Sequence, residues 1–135
     1  YEVPLTSLES DFINFKGRYS YNDLSSIFEN TDVLIVPSIW KETFGFVGLE
    51  ALSFGVPIVI SNNVGCKDII IDGKTGIVFN ENTTELANVI ENLIENRTIL
   101  CELNKNICRS NISNFFIKNH AENIKSLYEC TYNNL

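Results

Sequence analysis

Two carboxylates, Glu42 and Glu50, flank the string Thr43-Phe44-Gly45-Phe46-Val47-Gly48-Leu49. A carboxylate accepts two hydrogen bonds at once, so each can hold a pair of vicinal hydroxyls, as on a ribose or a hexose. Between them Gly45 and Gly48 allow a ligand to approach the backbone closely. If the string opens a helix, its first N–H groups are unpaired and carry partial positive charge, a natural seat for a phosphate. Phosphate-binding amides between two hydroxyl-binding carboxylates describe a sugar nucleotide.

The surrounding elements supply that helix start. The apolar run 32–36 precedes the string and ends at Pro37-Ser38, and a second run, 57–61, follows it. Phe46, Leu49, Ala51, Leu52 and Phe54 recur at helical spacing, and Gly55 stands where a helix would stop. Strand, polar loop, helix, strand is a βαβ unit, which requires a parallel pair. In such sheets ligands bind outside the carboxyl ends of the strands, where this helix begins, near Phe44-Gly45. Four uninterrupted apolar residues in the first run suit a strand buried on both faces.

Further elements follow the same signals. Phe12 to Phe15 alternates and ends at Gly17, predicting a strand and a turn. A short helix is predicted over 21–30, capped by Ser20 or Asn22, with Leu24, Ile27 and Phe28 on one face. Asn62 to Gly65 reads as a turn, 69–71 as a helical turn, and 76–79 as a last strand. Asn82 with Glu85 predicts a capping box opening a helix striped by Leu86, Val89, Ile90, Leu93 and Ile94. Helices over 99–112 and 116–132 follow, the last striped by Ile117, Ala121, Ile124 and Tyr128, all read as core packing. Residues 1–10 read as a connection from a part outside the chain. Trp40 is expected to cover a hydrophobic edge, and Lys41 and His120 to lie at the surface.

Composition bounds the rest. The 135 residues make one domain at most, with 44% hydrophobic content sufficient for a modest core. A net charge of −7 argues against nonspecific binding to nucleic acid or anionic membranes. No apolar run reaches the ~18 residues of a membrane helix. Cys66, Cys101, Cys108 and Cys130 form no C-x-x-C pair, so free thiols are expected, and no metal site.

The order Pro37-Ser38, then 42–52, then Gly55-Val56-Pro57-Ile58-Val59, resembles the C-terminal domain of a retaining glycosyltransferase of family 4. That family has two Rossmann-like domains facing across a cleft, the GT-B fold, and carries two Glu separated by seven residues, as Glu42 and Glu50 are. The resemblance implies an α/β fold, a three-layer parallel sheet with helices on both faces. It implies that residues 1–135 are the nucleotide-sugar-binding domain, truncated at its N-terminal side, with the acceptor domain outside the chain.

The resemblance further implies a hexosyltransferase acting with retention from a nucleotide-diphosphate sugar to a glycan or lipid-linked acceptor. Glu50 would take the ribose hydroxyls, and the amides of Phe46 and Val47 the diphosphate. The amides of Phe44 and Gly45, with the Glu42 carboxylate, would hold the donor hexose. The base would rest against backbone near Tyr19. No metal and no cofactor beyond the donor is implied. A cytoplasmic location is, with membrane contact only through the part outside the chain. The rival readings are a sugar-nucleotide epimerase or phosphorylase of the same architecture, or a non-catalytic interaction module.

Overall fold

The computed structural model describes residues 11–111, 115 and 117–132. Its described sheet has three strands, β1 (Leu34–Val36), β2 (Ile58–Ser61) and β3 (Gly76–Phe79), in the order β1-β2-β3 and parallel throughout. Leu34 pairs with Ile58, and Ile58 with Gly76. Helix α1 (Leu24–Phe28) precedes β1 and α2 (Phe46–Ser53) links β1 to β2. Helices α3 (Thr83–Glu95), α4 (Thr98–Arg109) and α5 (Ile117–Tyr132) follow β3.

Alternation along the strands divides the interior in two, because successive side chains leave a strand on opposite faces. Ile58 and Ile60, with Leu34, Val36 and Val78, face α1 and α2, where Leu24, Phe28, Ala51 and Leu52 are buried. Val59 and Phe79, with Ile35 and Ile77, face Leu86, Val89 and Leu93 of α3. The result is three layers with helices on both faces, as expected of a parallel sheet. Helix α4 serves both: Ile99 and Leu100 join the second cluster, Ile107 the first. The central strand β2 is buried at every position, whereas β1 is half-buried throughout. The apolar run of β1 therefore marked the sheet correctly but overstated that strand's burial.

Four expectations need correction. Phe12 to Phe15 forms no strand of the described sheet, and Phe12 is almost wholly exposed. The predicted helix over 21–30 is a 3-10 turn at Tyr21–Asp23 followed by the five residues of α1. The stripe on α5 stands outside the core: Ala121, Ile124 and Tyr128 are exposed, while α1 to α4 supply both clusters. At α3 Asn82 caps as predicted, accepting from the Thr84 N–H at 2.9 Å, but Glu85 accepts from Asn80 N–H at 3.2 Å, so the reciprocal half of the box is displaced. Residues 1–10, 112 and 116 of the predicted elements lie outside the described residues.

Candidate functional site

The site residues gather beyond the carboxyl ends of β1 and β2, where two loops are stitched together. The Glu42 N–H donates to Asn63 O, and the Gly65 N–H donates to Glu42 O, each at 3.0 Å. These bonds make Glu42 and Val64 a parallel bridge, extending the β1–β2 pairing past the sheet proper. Cys66 N–H then donates to Phe44 O, and Asn63 Nδ2 donates to Ile39 O at 3.1 Å. Such closeness excludes side chains. A Cβ on Gly65 would lie 2.0 Å from the Thr43 carbonyl oxygen.

Gly45 turns this loop into α2. It is the residue before the helix, at φ +81, a left-handed conformation that L side chains resist. A Cβ there would lie 2.6 Å from Val64 Cγ1 and 3.4 Å from Glu42 Oε2, so the Glu42 carboxylate reaches back over the helix start. Gly48 N–H donates to Gly45 O at 3.1 Å. The amides of Phe46 and Val47, the first two of the helix, have no acceptor within it. Helix α2 starts two residues later than the sequence suggested, because the positive φ of Gly45 cannot continue a right-handed helix. Its apolar face is also narrower than expected: Ala51 and Leu52 are buried, while Phe46 is 71% exposed and rests against Phe44, ring centroids 5.0 Å apart.

Glu50 lies three and four residues beyond Val47 and Phe46, so its side chain shares their face of α2. The Tyr19 hydroxyl donates to its Oε2 at 3.2 Å. Partial burial, then the Glu50 charge and the hydrogen bond to it, push the Tyr19 phenol above its ordinary range. The structure thus brings Tyr19 to Glu50, and sets Glu42, Phe44, Gly45, Phe46 and Val47 along one continuous turn. Trp40 is 77% exposed and does not cover a hydrophobic edge. Its carbonyl accepts from Ser38 Oγ at 3.2 Å, which holds the loop while leaving the indole outside. Lys41 and His120 are exposed.

Sequence reasoning assigned no contact to the second wall, Asn63 to Cys66. The signal was available: in a parallel pair the loops after both strands leave the same end of the sheet. Cys66 is buried under α2, where a Cβ on Gly48 would meet its Sγ at 2.5 Å. Burial pushes this thiol up to about 11. Cys66, Cys101 and Cys108 are free thiols. No group of three or more His, Cys, Asp or Glu among the described residues could hold a metal ion. No helix among them is long and apolar enough to cross a membrane.

Residues 7–112 match the family model of the group 1 glycosyl transferases, a span that includes both walls of this site. The chain belongs to the group 1 glycosyltransferase family. Relatives in it include spore coat protein SA of Bacillus subtilis, 31% identical over 93% of the chain and 34% of the relative. Another is an uncharacterized 41.2 kDa protein in the cps region of Klebsiella pneumoniae, 33% identical over 86% of the chain and 32% of the relative. Sucrose-phosphate synthase from Thermosynechococcus elongatus superposes with a TM-score of 0.78 at 26% identity, over 93% of the chain and 31% of the synthase. The three-layer fold is therefore part of a GT-B glycosyltransferase fold. The chain spans about a third of the length of these relatives.

Proposed function

We propose that this chain is the donor-binding part of a retaining hexosyltransferase of family 4, working with an acceptor-binding domain outside these residues. The observation that carries the reading is the start of α2: two amides without helical acceptors, lying between the carboxylates Glu42 and Glu50. The Phe46 and Val47 amides receive the donor diphosphate, and Glu50 the ribose hydroxyls. Glu42, with the amides of Phe44 and Gly45, holds the hexose. Tyr19 lies beside the base.

In the reaction the bond between the anomeric carbon and the diphosphate oxygen breaks, and its electron pair leaves with the nucleoside diphosphate. The acceptor hydroxyl forms the new bond on the same face, and its proton passes to the departing phosphate oxygen. Preorganised amides stabilise the negative charge growing on that oxygen. The carboxylates act as hydroxyl clamps and not as a hydrolytic acid–base pair. The acceptor in this reading is a glycan or a lipid-linked acceptor.

One relative supports glycosyl transfer by its name, and one structural neighbour supports a nucleotide-sugar donor by its bound ligand. A D-inositol 3-phosphate glycosyltransferase of Paenarthrobacter aurescens is 37% identical over 64% of the chain. Anabaena HepE, which shares the fold at a TM-score of 0.63 and 24% identity, has been crystallised with UDP-glucose.

The test is a titration of the full-length protein with UDP, GDP and ADP and their hexose conjugates, beside Glu50→Ala. Saturable binding of one nucleotide, weakened at least tenfold by the substitution, is expected. Binding of none would overturn the reading. Turnover of the donor without any acceptor would point to an epimerase.

A further inference from the structure

The bond from the Tyr19 hydroxyl to Glu50 Oε2 joins segments 31 residues apart. The loop that carries it is itself held. Ser20 N–H and Oγ–H both donate to the Asp23 carboxylate at 2.8 Å, fixing the turn that follows Tyr19 to the start of α1. These bonds fix the backbone from which the phenol reaches toward α2.

We propose that the Tyr19 hydroxyl is a positioning group for Glu50, aiming its carboxylate at the vicinal 2′ and 3′ hydroxyls of a nucleotide ribose. The inference rests on the donor-site reading above, and gives the tyrosine side chain a task separate from any backbone contact with the base. At 3.2 Å the bond is longer than most O–H···O bonds, so it orients Oε2 without saturating it. Each carboxylate oxygen has two lone pairs; with one of four taken, both oxygens still have room for a ribose hydroxyl. A glutamate on a half-exposed helix face otherwise samples several rotamers, and a diol would have to select one of them. The raised phenol range keeps the hydroxyl protonated, and hence a donor, through neutral pH. The ring is half-exposed, so its packing alone gives the hydroxyl no purpose.

The experiment compares wild type, Tyr19→Phe, Glu50→Gln and the double variant in the full-length protein. The probes are UDP, GDP and ADP, with the 2′,3′-dideoxy form of whichever binds best. Tyr19→Phe keeps the ring and removes only the donor. It is expected to weaken the ribonucleotide about 5- to 10-fold, the worth of one hydrogen bond, and the dideoxy form less than about 2-fold. In the Glu50→Gln background the same change should add almost nothing, the coupling expected of groups that act through one another.

Equal losses for both nucleotides would show a packing role and overturn the inference. Tighter binding by Tyr19→Phe would also overturn it, showing that the phenol competes with ribose. If Glu50→Gln weakens the ribonucleotide and Tyr19→Phe does not, the inference fails while the donor site stands. If Glu50→Gln has no effect, or no nucleotide binds, the donor reading itself fails, and the inference with it.

Discussion

The two ends of the sheet are closed by different means. At the carboxyl ends of the strands, backbone meets backbone: Glu42, Phe44, Asn63, Gly65 and Cys66 exchange main-chain hydrogen bonds, and a Cβ on Gly65 has no room. At the amino ends, main-chain bonds such as Leu34 N–H to Pro57 O at 2.9 Å are joined by side-chain ones. Asn104 Nδ2 donates to Gly55 O at 2.8 Å, and Arg97 reaches Asp32 at 3.1 Å in an ion pair about three-quarters exposed on both sides. A backbone approach as close as that at Gly65 admits no Cβ. Side-chain closures can be lost singly with little change in shape. The proposed donor end is the one where main-chain bonds tie two loops together beyond the strands.

The contrast predicts a gradient of mutational cost. Gly65→Ala should be the most damaging, because its methyl would overlap a carbonyl that cannot move without opening the Glu42–Val64 bridge. A loss of about 3 kcal/mol or more is expected in denaturant unfolding, together with loss of nucleotide binding. A Gly65→Ala protein as stable as wild type would break the comparison.

Gly48→Ala comes next, at about 1–3 kcal/mol, since its methyl meets the Cys66 sulfur and not backbone. Combining it with Cys66→Ala should recover part of that loss, with a coupling above about 0.5 kcal/mol. Strict additivity in the double variant would show that the clash is elsewhere.

A smaller effect is set by pH. Burial holds the Cys66 thiol at about 11, against 9.0 for an ordinary thiol. Above pH 9 the unfolded chain sheds this proton while the folded chain keeps it. The stabilisation is thus complete below pH 9 and is lost as pH rises toward 11. Unfolding followed across that window should be less steep in Cys66→Ala than in wild type. At neutral pH a maleimide should label the exposed Cys101 and Cys108 and spare Cys66 until the chain unfolds.

Smallest of all is Arg97→Ala at the opposite end. An exposed ion pair contributes about 0–1 kcal/mol, so melting should shift by no more than a few degrees and nucleotide affinity not at all. A large loss here would mean that the amino end is as rigid as the other.

Much of the fold was legible because parallel sheets write long apolar runs. The strands at 34–36, 58–61 and 76–79 fell within the runs read from the sequence, as did α2 and α3, and α4 begins at Thr98, one residue ahead of its predicted span. The predicted strand at 12–15 does not join the described sheet: Ile13 alone is in a bridge and Phe12 is 96% exposed, since alternation of Phe and Ile records only apolar spacing. The α5 stripe failed for a related reason: periodicity names a face but not whether another surface meets it. At the site, Gly45 and the carboxylates were readable as letters. The wall from Asn63 to Cys66 was not, because its contacts are main-chain bonds that any residue could donate, apart from the missing Cβ of Gly65. The Tyr19–Glu50 bond spans 31 positions and leaves no local pattern at all.

The bridge between Glu42 and Val64 also sets a clock. The Glu42 and Gly65 amides cannot reach solvent unless the extension of β1 parts from that of β2. Their hydrogen exchange should therefore be slow, nearer to that of Val59 in the central strand than to that of Lys74 in the exposed turn before β3. The loop that holds Glu42 thus opens together with the sheet, and the proposed donor would meet a surface already set before it binds.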